Sequence, residues 1–362
     1  MSSGKSGMHN AHHERPLSGL RRSKAVLVTG AGGEMGHSLI AQLSARAETS
    51  VVAIDIRELN LEIRAHCEET FVGDVCDVHL LERVLAMYEI DEVFHLAALL
   101  STRGEFAPET AHQVNVVGTL NLLKLSADQA RSHGRAVKFI FPSSIAAYGI
   151  PDLQSKQKAG AVREDQFLEP HTMYGVNKLA GENLGRYYES HYRKLAKDRM
   201  ERPIDFRSIR FPGIISAETL PSGGTSDYGP EMIHAAAQGN PYTCFVRRDT
   251  RIPFMTMPDA VNALLQLAGA RKELLTRCVY NVAGFAPHAG DFERLVMQRF
   301  PDAKITFEPD AGRQAIVDSW PEDINDSAAR GDWNWRPAHD LESAFDEYLM
   351  PRITARYAGY KQ

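Results

Sequence analysis

Tyr174-Gly175-Val176-Asn177-Lys178 places a phenol and an ammonium four residues apart, and so on one face of any helix that carries them. A phenol titrates near ~10 and is a poor base at neutral pH, but a neighbouring cation favours its phenolate and lowers that value. Tyr174 can then exchange a proton with the oxygen of an alcohol or ketone. On a helix this pair alone is usually a solvated couple; its weight comes from Ser143 and Ser144, which follow the apolar run Lys138–Phe141. A hydroxyl there can hold a substrate oxygen against Tyr174 as it passes between alcohol, alkoxide and carbonyl. Asn115, expected on the helix after a fourth strand, is read as joining Lys178 to solvent through a water.

Such chemistry needs a hydride carrier, and a second constellation supplies its seat. Thr29-Gly30-Ala31-Gly32-Gly33-Glu34-Met35-Gly36 runs from a first apolar segment into a helical stretch, Gly36 to Arg46. Gly30 permits the turn, Gly33 lets backbone N–H groups approach a pyrophosphate, and Gly36 lets helix and strand pack closely, with Glu34 and Met35 between them read as cofactor contacts. Asp55 ends the second segment. A carboxylate there accepts from the adenosine ribose hydroxyls and repels a 2′-phosphate, so NAD is expected over NADP. Arg57, after Ile56, is the group that could pair a 2′-phosphate instead. Asp74-Val75 is read as meeting the adenine edge, Leu96-Ala97-Ala98 as making close backbone contact with the cofactor, and Lys178 as reaching the nicotinamide ribose.

The elements that must position these groups follow from the alternation of short apolar runs with amphipathic stretches between Lys24 and Ile214. Ala25–Thr29, Val51–Ile54, Thr70–Val72, Glu92–Ala97, Lys138–Phe141 and Ile204–Ile209 read as successive parallel strands buried on both faces. The expected fold is α/β: a Rossmann doubly wound parallel sheet over residues 23–214, with returning segments near 251–283. A smaller α+β substrate-binding domain over 215–362 would carry short strands such as Arg277–Val282 and helices near Asp259–Ala270 and Asp291–Arg299. Residues 1–22 lack apolar periodicity and read as a disordered tail. Its His9, His12 and His13 lack a fold to arrange them for a metal, and none is expected.

With 362 residues, 43% of them apolar, the chain can bury one large or two modest cores. A net charge of −5 without a long basic stripe argues against nucleic acid and anionic membrane surfaces and for a small soluble substrate. No apolar run approaches the ~20 residues of a membrane-spanning helix. Cys67, Cys76, Cys244 and Cys278 have no metal-ligand or C-x-x-C spacing and read as reduced packing residues. A cytoplasmic location is expected; Arg15, Arg21 and Arg22 leave a mitochondrial transit segment open.

The glycine triplet, Asp55, Ser144, Tyr174 and Lys178, in this order, resemble the extended short-chain dehydrogenase/reductase family, that is, the NAD-dependent epimerases and dehydratases. Five further segments, beginning at Phe141, Arg210, Gly223, Pro253 and Arg313, are similar to the group within it that oxidises the C3 hydroxyl of L-threonine to 2-amino-3-ketobutyrate. The resemblance implies that Tyr174 is the base, Ser144 the hydroxyl donor, and Ser143 a substrate contact. It further implies that Phe211-Pro212-Gly213 backs the nicotinamide, that Gly224-Thr225-Ser226 closes on the amino acid with Ser101 facing the same cavity, and that the protein is a homodimer through the helices of Asn115 and Tyr174. The tail and the charged stretch Tyr192–Pro203 are longer than the family pattern. No arginine stands out as a partner for a substrate carboxylate. Two alternatives stay open: a nucleotide-sugar epimerase or dehydratase, and a non-catalytic NAD sensor. The first sits poorly with Ile145-Ala146 after Ser144 and with Arg210-Phe211-Pro212 after the sixth strand; the second, with an intact Ser144, Tyr174 and Lys178.

Overall fold

The computed structural model describes residues 22–221 and 223–358. The histidines of the tail, His9, His12 and His13, lie outside the described residues. Seven parallel strands form the central sheet: β1 (Ser23–Thr29), β2 (Val51–Asp55), β3 (Glu69–Val72), β4 (Tyr88–His95), β5 (Val137–Ser144), β6 (Ile204–Phe211) and β7 (Val279–Asn281). Their order across the sheet is β7-β6-β5-β4-β1-β2-β3, so the crevice between β1 and β4 is where the winding reverses.

The alternation of side chains across each strand explains why apolar residues run on without polar gaps. Val28, Val51, Ala53, Ile140 and Ile209 face one layer, where helices α1 (Glu34–Ser44) and α5 (Met257–Gly269) contribute Leu39, Ile40, Leu43, Leu264 and Leu267. Leu27, Val52, Ile54, Phe139 and Phe206 face the opposite layer, where α3 (Gly118–His133) contributes Leu122 and Leu123. Both faces are dry, as a parallel sheet requires.

The sequence expectation differs in three places. Arg277–Val282, grouped with the short strands of the smaller domain, supplies β7: Val279 pairs with Ser208 and Asn281 with Arg210 at the edge of the main sheet. The fourth strand is Tyr88–His95, shifted toward the N-terminus, because Leu96 and Ala97 already turn out of the sheet. The first helix begins at Glu34, so Met35 and Gly36 lie in its first turn.

The C-terminal part builds a separate apolar cluster in which Tyr148, Tyr228, Phe254, Phe292 and Trp320 are buried. Short parallel pairs stitch it together, Gly213–Ile215 with Phe254–Thr256 and Tyr242–Cys244 with Ile305–Phe307. Among the described residues, no helix is long and apolar enough to cross a membrane.

Candidate active site

Thr29, Asp55, His95, Ser144 and Phe211 are the last residues of β1, β2, β4, β5 and β6. The sheet thus delivers the chemistry-bearing residues to one rim, the carboxyl ends of its strands.

At the glycine loop, Gly30 adopts φ +69, and a Cβ on it would lie 2.5 Å from the Ala97 nitrogen. Only glycine fits where the β1 and β4 loops touch. Gly33 precedes α1 with no side-chain hydrogen bond capping the first turn, so the donors of Glu34, Met35 and Gly36 face outward without a side-chain acceptor. Together with the helix dipole, this suits a pyrophosphate. The Asp55 carboxylate accepts from the Gly32 nitrogen at 2.8 Å and the Arg57 nitrogen at 3.0 Å, which holds it beside the loop with lone pairs to spare for ribose hydroxyls. Ile56 is exposed beside it. Asp74 accepts from the Cys76 nitrogen, and Val75 is buried. Glu34 carries a carboxylate into this region, and it accepts from the hydroxyls of Ser216 and Thr219.

Tyr174 and Lys178 lie on α4 (Met173–Ser190), which Thr172 caps by accepting from the Gly175 nitrogen. A Cβ at Gly175 would sit 1.9 Å from the Ala146 carbonyl, so α4 presses directly on the turn that follows Ser144. This contact packs Tyr174 against the cluster that holds Ile145 and Ala146, the residues that follow Ser144. Lys178 is buried; its Nζ donates to the Pro142 carbonyl at 2.7 Å and stands 5.4 Å from the centre of the Tyr174 ring. Burial pulls the Lys178 ammonium down to about 8, opposed by Glu182. The Tyr174 phenol is pushed up, by burial. Burial sets that direction, with the Lys178 ammonium lying toward the ring rather than bonded to the hydroxyl.

Two expected site residues, Ser143 and Asn115, take other partners. Ser143 is turned from the rim and donates to Glu182 at 2.6 Å, in a buried network where Arg210 forks onto both oxygens of the same carboxylate. Ser144, on the opposite face of the strand, accepts from the Ala146 nitrogen and keeps its proton available. Asn115 is buried in a π-helical segment, Gln113–Val117, and both ends of its amide engage the Leu99 backbone, donating to the carbonyl and accepting from the nitrogen. It braces the loop beyond β4.

His95, which sequence reasoning missed, supports the same loop. The Thr119 hydroxyl donates to the Asn115 carbonyl at 2.6 Å, so His95 must donate to Thr119 through Nε2, at 2.9 Å. Its Nδ1 then accepts from Thr29 at 2.8 Å, and Thr29 accepts from the Ala97 nitrogen. Burial drives His95 down to about 3, with Lys178 acting in the same direction, so the ring is neutral.

The segment Gly223–Asp227 comes over the site. Ser101 and Thr225 hydroxyls meet at 3.5 Å, and Thr102 donates to the Gly223 carbonyl at 3.2 Å. Both belong to α2 (Ser101–Phe106), whose Gly104 faces Tyr174. Phe211 is buried at the end of β6, leading into Pro212 and Gly213. Among the described residues, no group of three or more His, Cys, Asp or Glu is placed to hold a metal.

Residues 26–283 match the NAD dependent epimerase/dehydratase family. The mitochondrial L-threonine 3-dehydrogenase of Bos taurus is 33% identical over 87% of this chain and 79% of the bovine protein. The structure of a GalE-like L-threonine dehydrogenase from Cupriavidus necator, holo form, superposes with a TM-score of 0.78 at 34% identity, over 92% of this chain and 99% of that one. A monomeric L-threonine 3-dehydrogenase from a metagenome, apo form, gives 0.78 at 35% identity over 91% and 99%. With its glycine loop, its rim of strand-end residues and its Ser, Tyr and Lys in place, the chain belongs to the NAD dependent epimerase/dehydratase family.

Proposed function

We propose that the protein oxidises the C3 hydroxyl of L-threonine to 2-amino-3-ketobutyrate with NAD. The observation that carries the reading is the bridge of Ser101 to Thr225 and of Thr102 to Gly223, which roofs the Tyr174 side of the crevice with short polar groups suited to an amino acid rather than a nucleotide sugar. The relatives described as L-threonine dehydrogenases point the same way.

In this reading, residues 23–214 with 251–283 hold the dinucleotide and the remainder of 215–362 holds the substrate. Glu34 and Met35 offer backbone donors to the pyrophosphate, and Asp55 accepts from the ribose, with Ile56 and Arg57 at its flank. Asp74 and Val75 border the adenine, Leu96, Ala97 and Ala98 line the path between, and Phe211 backs the nicotinamide. Bound NAD supplies a hydride acceptor at the nicotinamide C4 and a positive charge on that ring. Ser144 donates to the C3 oxygen and steadies it as the C3–H bond breaks. Tyr174 receives the hydroxyl proton, leaving a ketone. Lys178, fixed on the Pro142 carbonyl, gives its remaining donors to the ribose, and its charge together with that of the bound nicotinamide would offset the burial that raises the Tyr174 phenol.

The quaternary proposal is a homodimer through α3 and α4. Their outer faces expose Leu120 (37%), Val176 (45%) and Tyr187 (45%), with Phe106 (87%) nearby. A cytoplasmic location is part of the same proposal.

The test is NADH formation, followed at about 340 nm, with L-threonine and with UDP-sugars. NADH with L-threonine supports the reading. UDP-sugar turnover without net NADH would replace it with epimerisation, and tight NAD binding with no turnover, with a sensor.

A further inference from the structure

Arg313 lies on α6 (Ala311–Asp318), in the C-terminal part of the chain, and its guanidinium is flat against the Phe245 ring, 3.4 Å from the centroid. From there Nη2 donates to two successive carbonyls, Gly223 at 2.9 Å and Gly224 at 2.8 Å. The Gly223 carbonyl also accepts from Thr102, so one oxygen is held from α2 on the cofactor side and from α6 on the other. The next residue, Thr225, meets Ser101 over the site. Gly224 and Asp227 close the turn on themselves, the Gly224 nitrogen donating to the Asp227 carboxylate at 2.7 Å and the Asp227 nitrogen to the Gly224 carbonyl.

Two glycines in series give this segment little rigidity of its own, and a guanidinium stacked on Phe245, with one nitrogen shared between both carbonyls, is suited to fix them. Resting on the proposed function, we propose that Arg313 is a positioning residue for the amino-acid substrate. It never touches the substrate and acts by holding Gly223 and Gly224 so that Thr225 faces Ser101. A reader of the sequence looking for an arginine to pair the substrate carboxylate finds this one already committed to the protein's own backbone.

Three measurements on the full chain with NAD test it. Arg313→Ala should raise KM for L-threonine about ten- to a hundredfold, the range expected for losing hydrogen bonds from a charged donor, with NAD affinity unchanged. Arg313→Lys should recover little of this, since an ammonium has no planar face to stack on Phe245 and so is not held against the two carbonyls. Because Arg313 and Thr102 share one acceptor, the KM effects of Arg313→Ala and Thr102→Val should be strongly non-additive. Additive effects, or near-complete rescue by lysine, would overturn the proposal in favour of a point-charge contact to the substrate. Amide hydrogen exchange at Gly224 and Asp227 gives a readout independent of the substrate's identity: it should quicken in both Arg313 variants. If exchange quickens while L-threonine proves not to be turned over by the unaltered chain, the clamp stands and the substrate assignment fails. Unchanged exchange sinks the clamp itself.

Discussion

Ser143 and Ser144 are adjacent in β5 yet serve opposite sides of it: the first gives its proton to the buried Glu182, and the second, at the rim, accepts from the Ala146 nitrogen. Strand geometry forces the split, because successive side chains leave a strand on opposite faces. Ser143→Ala should therefore cost about 1.5–3 kcal/mol of stability, the range for a hydrogen bond to a charged group, with kcat little changed. Ser144→Ala should lower kcat by about 10²–10³ and leave the melting temperature near that of the parent. Denaturant titration and NADH kinetics on both variants decide the matter; a catalytic defect of equal size in the two would reject the division.

Tyr174→Phe removes only the hydroxyl from a ring whose position is set by the contact of α4 with the turn after Ser144. Turnover should fall by about 10²–10⁴, the usual worth of a positioned acid–base group. NAD affinity, measured by fluorescence titration, should stay within about twofold, since the phenol's proton path and not the binding crevice is cut. Substantial residual activity would move the base elsewhere.

Asp55 reads the cofactor through charge as well as shape. Asp55→Asn keeps one amide oxygen, enough for the Gly32 or the Arg57 nitrogen but not for both, while removing the charge that repels a 2′-phosphate. The preference for NAD over NADP, taken as a ratio of kcat/KM values, should narrow about tenfold or more, since a like-charge contact costs several kcal/mol. An unchanged ratio would mean that another group makes the choice.

The parts of this site legible in the sequence are those whose contacts are local. The glycine loop, Asp55 and the Tyr174/Lys178 pair each depend on a strand end or one helix turn, and spacing alone locates them. Glu182 was within reach too, because it continues the stripe of Tyr174 and Lys178 at the next four-residue step. Val279–Asn281 was not: a three-residue strand has too little pattern to name its partner, and only packing against β6 assigns it. Asn115, His95 and Arg313 depend on contacts with residues distant in the chain, Leu99, Thr29 and Gly223 among them, which no periodicity records.

Val176 and Tyr187 on α4 and Leu120 on α3 are exposed apolar side chains of the two helices proposed to meet a second copy. If a second copy covers them, Val176→Glu places a charge in the interface of each copy and should shift sedimentation at micromolar protein from dimer to monomer. One solved relative is described as monomeric, so the unaltered chain is the first sample to spin. A monomer there removes the dimer proposal, whatever the variant does.

His95 sets a direction for acid stability. Its ring is held neutral between Thr29 and Thr119, with a folded value of about 3 against 6.5 for the free side chain. Between those two values the unfolded chain binds a proton that the folded chain refuses, so stability contributed by the neutral ring is present above pH 6.5 and is lost as pH falls toward 3. The loss from one such group runs at about 1.4 kcal/mol per pH unit. His95→Gln retains a donor and an acceptor for the two threonines and cannot take up the proton. Urea unfolding of both proteins at pH 7, 6, 5 and 4 should then show the parent losing stability more steeply than the variant, by about that slope. Parallel lines would mean that His95 is already protonated in the fold. The Thr29–His95 bond would then run the other way, Nδ1 donating to Thr29, while Nε2 still donates to Thr119.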